Sequence, residues 1–197
     1  LICKIIFKKK MHITVKNLIN IQKEIKNELN VLNYKNLPKI IAVSKTFKID
    51  KILPLIDHGH KDFGENKVQE AFEKWKEIKI KHPKINLHMI GKLQSNKVKL
   101  AVSLFDFIHS VDSKKLAKKI INEQIKINKK MKVFIQVNIG DETQKSGIDI
   151  NELEELIFFC KQNQLNVVGL MCIPPLQRDA TFYFKKMNDL NNNYIFS

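Results

Sequence analysis

Arginine is almost missing. Of the 35 basic residues in this 197-residue chain, Arg178 is the one arginine and the rest are lysines. Arginine carries most bidentate recognition of guanine and phosphate, so its scarcity argues against a sequence-specific nucleic-acid binder. The net charge of +15 and the sequence pI near 9.7 then read as solvated surface charge. Weak, salt-sensitive adhesion to polyanions is all that such charge implies. The skew toward Lys, Asn and Ile fits an A/T-rich coding sequence. Cysteine is scarce too: Cys3, Cys160 and Cys172 are far apart, odd in number and never arranged as C-x-x-C. That pattern excludes a disulfide scaffold and a cysteine-rich metal site, and it fits a reducing cytoplasm. No apolar run approaches the roughly 18–20 residues of a membrane-spanning helix.

What is present is a globular composition, 44% hydrophobic and 28% charged. The length suits one domain with a self-sufficient core. Residues 1–10, LICKIIFKKK, precede Met11 and place an apolar stretch before lysines, the reverse of a secretory signal. They are set aside as an upstream or non-native extension, with Met11 as the expected start and 11–197 as a single domain.

Periodicity predicts a regular alternation. Val15, Leu18, Ile21, Ile25, Leu29 and Leu32 recur every three to four residues, an amphipathic helix over 13–34. Strands are expected at 40–44, 61–64, 86–90, 107–111, 132–138 and 167–172, with helices between them. A further apolar strand begins at Tyr194–Phe196, which makes about seven strands in all. Such β/α alternation implies parallel strands joined by right-handed crossovers. A doubly wound open sheet and a (β/α)8 barrel both fit. G-x-G-x-x-G is absent after the first strand, which counts against a dinucleotide-binding sheet.

In either architecture chemistry gathers at the carboxyl ends of the strands. The residues there are Ser44-Lys45-Thr46, Gly64-Glu65-Asn66, the run Gly91 to Lys97, Ser110 with Asp112, Asn138 with Asp141-Glu142, and Met171. Lys45 is the most pointed of them, since it follows an apolar run. It is either a charged side chain snorkelling out of a strand end or a lysine able to form a Schiff base. A lysine amine with an ordinary pKa near 10.4 needs about 4–5 kcal/mol to be neutral at pH 7, and burial beside positive charge is the expected means.

Other constellations read as structural. His58-Gly59-His60 is a turn, since two histidines make no zinc site. His88 is a satisfied histidine of the barrel interior or of a helix-facing position. No partner is named for His12, His82 or His109. Asp141-Glu142 is solvated charge, and Phe158-Phe159, Phe182 and Phe184 are helix packing. No metal ligand set is identified.

Five blocks occur in order: Ile41-Ala42-Val43-Ser44-Lys45-Thr46; Phe63 to Glu70 (FGENKVQE); His88 to Lys97 (HMIGKLQSNK); Gln136-Val137-Asn138 with Lys145-Ser146-Gly147; and Gly169-Leu170-Met171 with Ile173-Pro174. Together they resemble the YggS/PROSC family of pyridoxal 5′-phosphate (PLP) homeostasis proteins, over about Ile13 to Phe196. The resemblance implies a single α/β domain, a (β/α)8 barrel of the alanine racemase N-terminal type. It places Lys45 where the family holds PLP as a Schiff base, with Asn66 and Met171 lining the cofactor pocket. It also implies a cytoplasmic, monomeric PLP carrier or regulator without turnover of its own, since the family lacks the racemases' second, β-rich domain. PLP-dependent apoenzymes are its candidate partners; no specific nucleic acid and no membrane are expected. The alternative is a fold-type III amino-acid racemase. Lys67 stands where the family usually has an aromatic residue. The family also continues into a final strand and a phosphate-binding segment beyond the last residues here, so the barrel is expected to be incomplete.

Overall fold

The computed structural model describes residues 11–33, 37–140, 146–194 and 196. Its elements alternate as the periodicity predicts. Helix α1 (Ile13–Val31) is followed by β1 (Ala42–Val43), α2 (Ile49–Asp57), β2 (Asp62–Glu65), α3 (Val68–Lys81) and β3 (Asn86–Met89). A 3₁₀ turn at Ser95–Lys97 leads into α4 (Val98–Leu104), then β4 (Phe107–Val111), α5 (Lys114–Lys126) and β5 (Lys132–Gln136). The chain continues through α6 (Ile150–Gln162), β6 (Asn166–Met171) and α7 (Ala180–Asn192).

The strands form one six-stranded sheet in chain order, β1 to β6, and every pairing is parallel. This is the alanine racemase N-terminal type of α/β architecture, barrel-like but not closed among the described residues. The expected seventh strand is not observed there: α7 ends at Asn192, Tyr194 is a bend, and Ile195 lies outside the described residues.

Side-chain alternation divides the sheet into two faces. Phe63 on β2 packs on Trp75 of α3 with ring centroids 5.0 Å apart, which fixes the helix-facing side. Phe63, Trp75, Leu87, Met89, Ile108, Val133, Ile135 and their helical partners form the continuous buried core. The intervening residues of each strand, among them Gly64, His88, His109 and Phe134, turn to the inner face. There a side chain at Gly64 would meet Ile90 and Ile41 at 3.1 and 3.2 Å. Helix starts are capped where the sequence offers a short polar side chain. Ser113, Asp149 and Asp179 each accept a hydrogen bond from a first-turn N–H, at 3.3, 2.8 and 2.9 Å.

Three aromatic expectations are corrected. Phe158, Phe182 and Phe184 are exposed rather than packed, while Phe159 does touch the core. Helix α6 buries Leu153, Leu156, Ile157 and Cys160, a stripe that leaves Phe158 outside. Helix α7 buries Tyr183 and Met187, so the residues flanking Tyr183 point away.

Candidate cofactor site

The carboxyl ends of the strands carry the residues singled out from the sequence. Lys45 and Thr46 form the turn that leaves β1, and Asn66 directly follows β2. These two ends are neighbours, because Ala42 and Val43 pair with Phe63 and Gly64. Met171 closes β6 at the opposite edge of the sheet, where it pairs with Gln136 and its carbonyl accepts from the Val137 N–H at 2.8 Å. Asn66 and Met171 are half-buried.

Lys45 itself is exposed, contrary to the expectation that burial surrounds it. β1 is two residues long and lies at an edge of the sheet, and even Val43 within it is 48% exposed. The apolar run before Lys45 suggested a deep strand, but only Ser44 beside it is buried.

Asn66 is located by close packing. A Cβ on Gly91, after β3, would stand 2.4 Å from the Asn66 carbonyl oxygen, so only glycine lets these two chain segments meet. Gly147 does the same beside β5: its φ is +130°, and a Cβ there would stand 2.5 Å from the Asn138 nitrogen. Between these glycines lies a cavity of about 210 Å³, lined by Ile90, Gly91, Lys92, Gln136, Asn138 and Ser146 among others. Gln136 Nε2 donates to the Ser146 carbonyl at 3.1 Å and so shapes its wall. Asp141, Glu142 and Lys145 lie outside the described residues.

Behind the sheet is a polar cluster that sequence reasoning missed. Glu65 is buried, and its Oε1 accepts from Ser44 Oγ at 2.7 Å, Trp75 Nε1 at 2.9 Å and Lys74 Nζ at 3.0 Å. The signal was available: a carboxylate at a strand end, with a lysine and a tryptophan side by side one helix later.

The inner face holds a second cluster. Asp62 Oδ1 lies 3.0 Å from His88 Nε2, and His88 Nδ1 lies 2.9 Å from His109 Nε2. Because a carboxylate only accepts, His88 Nε2 carries the proton and Nδ1 accepts. His109 Nε2–H is therefore the donor in the second bond. His88 stacks on Phe107 at 4.4 Å and His109 on Phe134 at 4.3 Å. Burial pushes the His109 imidazole down to about 4, helped by the positive charge that His88 would carry. Burial also lowers His88, against the pull of Asp62. For Asp62, burial acts upward but is outweighed by hydrogen bonds from His88 and Asn86 and by the charge of Lys39, leaving its carboxyl below the ordinary value. His88 thus occupies the expected interior position, and His109 gains a partner that the sequence did not reveal.

His60 belongs to the turn after α2, with Nε2 2.9 Å from the Asp62 carbonyl oxygen. Among the described residues no three His, Cys, Asp or Glu side chains are placed to hold a metal ion, and no helix is long and apolar enough to cross a membrane.

Residues 17–193 match the model of the alanine racemase N-terminal domain. A pyridoxal phosphate homeostasis protein of Pasteurella multocida is 39% identical over 163 residues, covering 80% of this chain and 69% of that protein. The solved structure of PipY from Synechococcus elongatus, with PLP bound, is 34% identical with a TM-score of 0.71, over 86% of this chain and 81% of that one. Alanine racemase of Acinetobacter baumannii superposes with a TM-score of 0.67 at 16% identity, over 89% of this chain and 50% of that one, which shows a common fold. On the extent of these matches, the chain belongs to the alanine racemase N-terminal domain family and, within it, to the pyridoxal phosphate homeostasis proteins.

Proposed function

We propose that this chain is a cytoplasmic PLP-binding homeostasis protein that holds the cofactor on Lys45 and does not turn over substrate itself. The observation that supports the reading is an accessible primary amine, Lys45, after a strand whose neighbour leads into Asn66, in a chain of this family. The donor set suits an aldehyde cofactor. The PLP aldehyde carbon would accept the Lys45 nitrogen and release its oxygen as water, a condensation that needs no oxidant or reductant.

Asn66, held in place by Gly91, follows the strand that pairs with the one before Lys45. Met171, half-buried at the end of β6, is the family's third pocket residue by resemblance. Exposure of Lys45 suits a carrier, because the amine is reachable both for loading and for release to an apoenzyme. Racemase chemistry is not favoured: the racemase likeness, at 16% identity, is one of fold, whereas a homeostasis protein is 39% identical.

The test is to add PLP, reduce with borohydride and map the labelled peptide. A dominant adduct on Lys45, lost in Lys45→Ala with the thermal midpoint unchanged, is the expected result. Labelling spread evenly over the 34 lysines would overturn it. Loss of optical rotation from an amino acid incubated with the loaded protein would overturn the absence of turnover.

A further inference from the structure

The residue before Lys45 is held far more firmly than Lys45. Short edge strands fray readily, yet Ser44 is buried and each of its polar groups is engaged. Its N–H donates to the Gly64 carbonyl at 2.9 Å, and its hydroxyl donates to Glu65 Oε1 at 2.7 Å. Its carbonyl accepts from the Phe47 N–H at 3.1 Å and from Lys74 Nζ at 2.8 Å. Lys74 also donates to Glu65 at 3.0 Å, so one ion pair grips both the side chain and the backbone of Ser44.

Stability alone does not account for this arrangement. Desolvating two charges offsets most of their attraction, and apolar residues of equal volume commonly serve as well. Phe63 and Trp75 already join sheet to helix at this point. What the ion pair adds is direction. It fixes the Ser44 peptide, and with it the Cα–Cβ vector of the next residue, Lys45. Glu65 in turn directly precedes Asn66, so the same carboxylate stands behind both residues of the site.

We infer that Glu65, together with Lys74, is a positioning residue that aims the Lys45 amine toward Asn66 from the opposite side of the sheet. This rests on the assignment of Lys45 as the PLP-holding amine. Both act through Ser44.

The experiment compares the full chain with Glu65→Gln, Ser44→Ala and Ser44→Thr. PLP is added, samples are quenched with borohydride over time, and adducts on Lys45 and on exposed Lys99 are quantified by peptide mapping. The thermal midpoint is measured alongside. Small misplacement of a reacting group commonly costs up to about 100-fold, so Glu65→Gln and Ser44→Ala should slow Lys45 relative to Lys99 by about 10- to 100-fold. Ser44→Thr keeps the hydroxyl and should restore the rate. The double variant Ser44→Ala with Glu65→Gln should be slowed by less than the product of the two single effects, since the two residues belong to one Ser44–Glu65–Lys74 network. If Glu65→Gln fails to fold, the contrast between Ser44→Ala and Ser44→Thr decides. A lower thermal midpoint with an unchanged ratio of Lys45 to Lys99 labelling would show a structural role only and overturn the inference. Absence of any Lys45 adduct in the unaltered chain is a different failure: it overturns the assignment of Lys45, and this inference falls with it.

Discussion

The two hydrogen-bonded histidines of the inner face make stability fall in mild acid. In the unfolded chain the His109 imidazole takes up a proton near pH 6.5, whereas the folded state withholds it until about 4. Between those limits the unfolded state binds more protons, so stability rises with pH. Above the unfolded value the imidazole is neutral in both states and no penalty applies. By about pH 5 the cost from His109 alone is about 2 kcal/mol, and it approaches about 3 kcal/mol below pH 4. His88 is lowered as well and acts in the same direction. Asp62, whose carboxyl is depressed below its usual 3.8, loses its contribution only at lower pH. The groups acting on the pair are Asp62, Asn86, Lys39 and Asp106 around His88, with the Phe107 and Phe134 rings stacked on the imidazoles. Urea denaturation at about pH 7.5 and about pH 5, in the unaltered chain and in His109→Gln, isolates the effect. Glutamine does not titrate, and its amide N–H preserves the donor to His88 Nδ1. The acid loss should shrink by about 2 kcal/mol in the variant, whatever its stability at neutral pH. An equal loss in both proteins would refute the reasoning. So would nitrogen-detected NMR placing the neutral His88 proton on Nδ1.

Gly91→Ala should lower stability by about 1–3 kcal/mol, because the new methyl meets the backbone of Asn66 and not a yielding side chain. Thermal denaturation checks it, and a neutral result would mean that the two segments are not in contact. Cys160 is buried with its thiol pushed up to about 12. It should resist a thiol reagent in the native protein at about pH 8 and react on unfolding, as timed modification followed by mass measurement would show.

Much of the architecture was legible because each element carries its own period. Leu116, Ala117, Ile120 and Ile121 on α5, or Val133 and Ile135 on β5, declare a buried stripe without reference to anything distant. The strand-end positions of Lys45 and Asn66 were legible for a similar reason, because a polar residue after an apolar strand marks its carboxyl end; a cofactor role for Asn66 came from the family resemblance alone. The exposure of Lys45 was not, since burial depends on what lies over a strand, and β1 is an edge. The Asp62–His88–His109 contact was hidden for want of register. Its members are 26 and 21 residues apart in the chain and meet only once Gly64 is set opposite His88 and Phe107 is paired with it. Glu65 looked like one more polar corner because its partners come from the following helix.

Strand order and chain order are the same here, so every strand docks against one already made. A ribosome emitting about 5–20 residues each second would therefore release β1, β2 and α3, with Lys45, Glu65 and Lys74 in hand, several seconds before β6 appears. Each strand pairs in parallel with the one just before it in the chain, so the sheet can be extended strand by strand as synthesis proceeds.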